Sequence, residues 1–309
     1  MNTKKLKIIS FYKFIQISNP KKIKSSLDDF IKDKMFRGTI ILANEGINAS
    51  ISGDGTDLKN LLGKIKILLK NKDFNIKKNF IEFLPFNKMK VKIKKEIVSL
   101  GKKEINVPEY TGKFISPENW NNLIKKKNVK LIDTRNEYEF NIGHFTNAIN
   151  PKTKSFRDFP KKMGELGIKK NDEIVMYCTG GIRCEKISAF LQIEGYNNVS
   201  QLDGGILNFL ENTKHTDNNN IWNGECFVFD NRVSVNKSLE TGNYEQCHGC
   251  RHPITQIEKS LKSYKKGVSC KYCYNKRTLD QKKRSEMRQK QINKAEQKMV
   301  NHPFKRIQS

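Results

Sequence analysis

A chain of 309 residues can hold two or three domains, each with a core of its own, while a hydrophobic share of 36% is low for one large globule. No run reaches the ~18 apolar residues a membrane helix needs and no small-residue cleavage pattern follows the short N-terminal apolar stretch, so a cytoplasmic protein without membrane contact is expected. The net charge of +27 points to a polyanionic partner such as nucleic acid, although 49 Lys against 10 Arg, with abundant Asn and Ile, also fits the bias of an A/T-rich genome.

Leu6 to Ile17 alternate as a strand. Asn19 and Pro20 supply an N-cap and a first helical residue, and Ile23, Leu27, Phe30 and Ile31 then fall on one helix face. Residues 38–43 and 47–53 read as strands around the turn Asn44-Glu45-Gly46, and a second helix is expected from about Thr56 to Lys70. More strand material follows near 75–83 and 89–100. The order β-α-β-β-α-β is the split βαβ, or ferredoxin-like (acylphosphatase-like), arrangement over residues 1–100.

That segment carries 22 Lys/Arg against 9 Asp/Glu. Lys88, Lys90, Lys92 and Lys94 occupy every second position, so a strand projects them to one face as a basic ridge. Two readings of the ridge stand: an RNA-contacting surface, or a solvated edge that blocks strand-to-strand association. Residues 101–112, with Pro108 and few apolar side chains, are expected to be a linker.

From 113 to 217 strands and helices alternate, which predicts a parallel α/β sheet. Ser116 and Pro117 open a helix through about Lys125, and Val129 to Arg135 form a strand with a polar end. Asp133, Arg135, Glu139, Gly143 and His144 follow the pattern Asp-x-Arg-x-x-x-Glu-[aromatic]-x-x-Gly-His. Asp133 and Arg135 are expected to form a buried charge pair that shapes the site.

The strand Ile174 to Tyr177 runs into Cys178-Thr179-Gly180-Gly181-Ile182-Arg183-Cys184, and a helix follows. Backbone N–H groups converge in such a strand–turn–helix, and the helix dipole adds positive potential, so Cys178 is expected to react as thiolate. Only four residues separate Cys178 from Arg183. That cradle suits a sulfur carried on the thiol better than a phosphate ester, which argues against a phosphatase. Cys184 is placed to resolve an oxidised Cys178, or is a packed small residue. Leu202-Asp203-Gly204-Gly205 opens the last helix of this unit.

The rest divides into a Cys-rich region, 218–280, and a basic tail, 281–309. Trp222 to Asp230 precede Cys247-x-x-Cys250 and Cys270-x-x-Cys273. Two such pairs are the spacing of a structural zinc site, with redox or free thiols as the alternative, since each tight turn offers two thiolates to one tetrahedral centre. The tail holds 9 Lys/Arg against 2 Asp/Glu and is expected to be a charged helix or a disordered arm.

The Cys178 loop, the Asp133–His144 pattern and Leu202-Asp-Gly-Gly together resemble rhodanese-like domains. In that fold the position of His144 buttresses the sheet and loop, which favours a structural over a basic role. With Glu45-Gly46-Ile47-Asn48 ahead and the Cys pairs behind, residues 6 to 275 or so resemble the bacterial tRNA uridine(34) hydroxylases, a rhodanese-containing family. The resemblance implies O2-dependent hydroxylation at C5 of the wobble uridine, with Cys178 essential and tRNA bound through its anticodon loop. No obligate protein partner is implied. No haem, flavin or non-haem-iron signature is present and no motif names an electron donor. The chemistry legible in the residues is addition of Cys178, as thiolate or persulfide, to C6 of the uracil, with Arg183 and the loop amides stabilising negative charge. Two competing functions are a plain sulfurtransferase working through a Cys178 persulfide and a tRNA-binding module with an inert rhodanese domain. The intact Cys178 weighs against the second, and the basic first domain against a small substrate.

Overall fold

The computed structural model describes residues 6–71, 73–102, 105–213 and 221–300. Residues 1–5, and residues 301–309 of the basic tail, lie outside the described residues.

The first unit runs β1 (Leu6–Phe14), α1 (Pro20–Ile31), β2 (Arg37–Ala43), β3 (Gly46–Asp54), α2 (Gly55–Leu68), β4 (Lys77–Phe80) and β5 (Met89–Ile93). Asn19 caps α1 by accepting from Lys22 N at 3.0 Å. Helix α2 starts one residue before the predicted Thr56, because the Asp54 carboxylate accepts from the N–H groups of Thr56 and Asp57. The sheet order β4-β1-β3-β2-β5 is the expected ferredoxin-like sheet with one strand more. The two late strands are shorter than predicted, and the second adds parallel to β2 at the sheet edge. Ile9, Phe11, Ile40, Leu42, Ile47 and Ile51 alternate inward onto Leu27, Leu58, Leu61 and Ile65 of the helices. Each of these side chains contributes on the order of 2 kcal/mol by leaving water.

The connecting segment contains a short helix, α3 (Val107–Tyr110), that packs against the later sheet unit. Val107 and Ile97 join Phe14, Ala43 and Ala189 in an apolar cluster between the two units.

The second unit runs β6 (Lys113–Ile115), α4 (Pro117–Ile124), β7 (Val129–Asp133), α5 (Glu137–Phe140), β8 (Gly143–Phe145), α6 (Phe159–Glu165), β9 (Glu173–Tyr177), α7 (Ile182–Ile193), β10 (Val199–Leu202) and α8 (Gly205–Thr213). Its four parallel strands lie in the order β6-β10-β9-β7.

The chain then returns to this unit. Strand β11 (Trp222–Gly224) pairs antiparallel with β8, placing Trp222 opposite Phe145, and β12 (Cys226–Phe227) pairs with β13 (Ser234–Val235). Trp222, Cys226, Val228 and Val235 share one core with Phe145, Tyr177 and Phe209. After β14 (Glu245–Gln246), β15 (Pro253–Ile254) and α9 (Gln256–Lys259), α10 (Leu279–Gln297) takes in the first part of the basic tail, which is helical there. Thr278 caps α10, and Arg277 ties its start to the Cys pairs through Gly249 O and Ser285 Oγ.

Candidate active site

Cys178 sits at the carboxyl end of β9, where open parallel sheets place their sites. It is 1% exposed. Its sulfur accepts from Gly181 N at 3.1 Å and from the N–H of Cys184 on the first turn of α7. Burial alone would push this thiol up. The S–H of Cys184, the Arg183 guanidinium and the two amides more than offset it, holding Cys178 well below the ordinary thiol range. Cys184 is pushed the other way, first by burial and then by giving its hydrogen bond to Cys178; its sulfur also lies 3.3 Å from Thr134 Oγ1.

The loop keeps its shape because the neighbouring turn is threaded into it. Ile206 N and Leu207 N donate to the carbonyls of Cys178 and Thr179 at 2.9 and 3.1 Å. Gly205, at φ +67°, approaches so closely that a Cβ there would lie 2.4 Å from Cys178 O. This contact is the physical content of the Leu202-Asp-Gly-Gly motif.

Arg183 has its guanidinium tied down. Nη1 and Nη2 donate to the two Glu139 oxygens at 2.7 and 2.8 Å, and Nη2 also reaches Thr179 Oγ1 at 3.2 Å. Glu139 is in turn fixed by the cap of α5, accepting from Asn136 N at 3.0 Å. Arg183 therefore bears on Cys178 through its field and through the shape of the loop, with its charge already matched by a carboxylate. Phe229, 64% exposed, places its ring 5.7 Å from the same guanidinium.

Asp133 and Arg135 form the expected buried pair, at 2.6 Å between Nη2 and Oδ2. Arg135 also donates to Gly143 O at 2.6 Å and lies over the rings of Tyr177 and Trp222, so it pins β7 to β8. His144 is half-buried, stacked on Phe140 with ring centroids 4.0 Å apart, and its Nδ1 is 3.0 Å from Phe140 O.

The first unit reaches the loop at three points that local sequence patterns do not disclose. Tyr12 Oη stands against Gly181 and donates to Glu185 Oε2 at 2.7 Å. Lys186, fully buried on α7, donates to Glu45 at 2.7 Å and to Glu96 at 2.7 Å. Glu45 also accepts from Ile97 N, and Asn48 donates to Ile97 O, which gives the Glu-Gly-Ile-Asn turn its role as a clamp between units. Lys77 of β4 donates to Gly180 O at 2.9 Å and to Gly204 O. Nothing local in the sequence marked Lys186, Lys77 or Tyr12 for this interface.

Away from the loop, the sulfurs of Cys247, Cys250, Cys270 and Cys273 lie within 4.8 Å of one another, with pairs at 4.0, 3.7 and 3.9 Å. Tetrahedral thiolates at ~2.3 Å from a metal stand roughly 3.8 Å apart, so the donor set fits zinc. Cys247 lies well below the usual thiol range because Cys250 donates to it, and Cys250 rises in turn. His252 stacks on Tyr272 and meets Tyr138 of α5, which docks this cluster beside Glu139. Lys88, Lys90, Lys92 and Lys94 are all exposed along β5 and its flanks. The Lys90 ammonium is lowered by partial desolvation, then by the charges of Lys92, Lys88 and Arg251, the last from the Cys-rich region.

A low-pKa cysteine in a six-residue amide loop at the end of a parallel sheet defines a rhodanese-type thiol site. In agreement, residues 116–212 match the rhodanese-like domain family model, and residues 6–97 match the UPF0176 acylphosphatase-like domain. A curated relative, the tRNA uridine(34) hydroxylase of Pelagibacter ubique (strain HTCC1062), is 47% identical over 302 residues, 97% of this chain and 98% of that one. The chain belongs to the tRNA uridine(34) hydroxylase family. Among solved structures, a rhodanese-like domain protein from Staphylococcus aureus is 24% identical, covering 31% of this chain and 90% of that one at a TM-score of 0.27. A rhodanese-related protein from Thermoplasma volcanium is 19% identical, covering 33% and 93% at a TM-score of 0.27. Among the described residues no helix is long and apolar enough to cross a membrane.

Proposed function

We propose that this chain hydroxylates C5 of uridine 34 in tRNA to give 5-hydroxyuridine, using O2, with Cys178 as the essential nucleophile. The observation that carries this reading is the end-to-end match to a named hydroxylase with the thiol loop intact. Thiolate addition to C6 of the uracil makes C5 electron-rich and able to meet an oxygen species. One oxygen atom of O2 enters the base, and the other leaves as water at the expense of an electron pair from a reductant. After oxygen transfer, loss of the C5 proton and release of the thiolate restore the ring.

The anticodon loop is the part of the substrate that must reach Cys178, and the ridge from Lys88 to Lys94 supplies phosphate contacts. Zinc held by Cys247, Cys250, Cys270 and Cys273 would act structurally, fixing the region that docks against Tyr138. The cytoplasm, where tRNA is processed, is the compartment this function requires.

The test is mass analysis of wobble-position nucleosides from a strain lacking this protein, complemented with wild type or Cys178→Ser. Loss of 5-hydroxyuridine derivatives, restored only by wild type, is the expected result. Unchanged tRNA with sulfur transfer to a small thiol acceptor would instead identify a sulfurtransferase.

A further inference from the structure

We propose that Lys77 is a positioning residue of the active site: from the first unit its ammonium holds together the two turns that shape the Cys178 loop and adds, beside Arg183, to the positive charge around the thiolate. The argument begins with the charges around the loop. Arg183 is matched by Glu139, Arg135 by Asp133, and Lys186 by Glu45 and Glu96. Lys77 is different. Among the described residues it forms no ion pair with a carboxylate; its Nζ donates to two backbone carbonyls, Gly180 O and Gly204 O. An ammonium drawn out of water is costly unless an anion compensates it. The acidic groups that face it are Cys178, foremost, and then Asp203; the Cys226 thiol, pushed up to about 12 by burial, stays neutral.

The two carbonyls belong to the two turns that build the thiol site. Gly180 lies in the Cys178 loop, and Gly204 in the turn whose following amides, Ile206 N and Leu207 N, grip the carbonyls of Cys178 and Thr179. One ammonium thus bolts both turns together, using two of its three donors. A thiol site made only by the rhodanese-type unit would lack this bolt. The first unit is therefore part of the active site as well as a surface for RNA.

Burial pushes the Lys77 ammonium down to about 8, with Cys178 and then Asp203 pulling against that shift. The cation is present below that pH and is lost as pH rises through it. Cys178 itself is faced by Arg183, Cys184, Tyr12 and Glu185. Those groups remain in every Lys77 variant, so a change can be assigned to Lys77.

The experiment compares wild type, Lys77→Gln and Lys77→Arg by two readouts. The first is the titration of Cys178, taken as ultraviolet thiolate absorbance of each protein minus that of its Cys178→Ser counterpart. Gln keeps a donor for a carbonyl but no charge, so the Cys178 titration should move upward by on the order of one pH unit; Arg should leave it near wild type. The second readout is turnover on tRNA against pH, and this arm alone rests on the hydroxylase reading. Wild-type kcat should fall above about pH 8, and Lys77→Arg, which does not titrate there, should lose that alkaline limb. An unshifted Cys178 titration with wild-type kcat in Lys77→Gln overturns the proposal. If wild type itself leaves tRNA unmodified, the hydroxylase reading falls, while the thiol titration still decides the role of Lys77.

Discussion

Glu139 lies under the Cys178 loop with both carboxylate oxygens committed to Arg183, at 2.7 and 2.8 Å. Both side chains are buried, so neither charge has water to fall back on. Glu139→Gln should therefore cost about 3–5 kcal/mol of stability, the penalty for leaving a buried partner unmatched. Urea denaturation measures it. A variant within about 1 kcal/mol of wild type would mean that the pair is solvated in solution.

Cys178 also leaves a signature in stability. Its folded pKa is depressed, while an unfolded thiol titrates near ~8.5. The stabilisation is complete above the unfolded value and is lost as pH falls through the window down to the folded one. Wild type minus Cys178→Ser should thus give a stability difference that grows with pH up to about 8.5 and then levels. A flat difference over that window would show a thiol that folding does not perturb.

The four sulfurs of the Cys cluster already stand at metal-bridging distances, so purified protein should contain about one zinc per chain. A strong chelator, or Cys270→Ser, should release it and lower the melting temperature. Metal analysis showing none, with those thiols freely titratable in the native protein, would remove zinc from this account.

Binding of tRNA should fall steeply with salt, because each phosphate contact releases condensed counterions. Replacing Lys88, Lys90, Lys92 and Lys94 with Gln should weaken binding and flatten the log–log slope by roughly 0.7 per lost single-strand contact. Arg251→Gln, whose charge acts on Lys90, should add to the effect. Unchanged affinity and slope in the quadruple variant would reduce the ridge to a solvated sheet edge.

The sequence disclosed what is local. The Cys178 loop, the Asp133–Arg135 pair and the Asn19 cap each depend on residues a few positions apart, and each appears where the pattern placed it. Contacts made at long range left no periodic trace. Lys77 is one lysine among 49 and reads as surface charge, yet it meets a carbonyl more than a hundred residues further on. Lys186 reads as a helix surface residue because its two carboxylate partners belong to another unit. Trp222 and Cys226 fall beyond the last rhodanese motif, so nothing local tells that they complete that core. Arg183 was expected to stabilise negative charge together with the loop amides; its hydrogen bonds go to Glu139, so it bears on Cys178 through its field, and the significance of Glu139 becomes visible only when α5 is laid against α7.

The pairing of β11 with β8 also sets an order of events during synthesis. As the chain leaves the ribosome, the rhodanese-type strands emerge with Phe145 and Arg135 still lacking the Trp222 ring that covers them. The β8 edge offers unpaired backbone groups until residues 222–224 arrive. A transcript truncated after Thr213 would release a polypeptide that has every rhodanese motif residue and an open apolar face, the form that chaperones and proteases select.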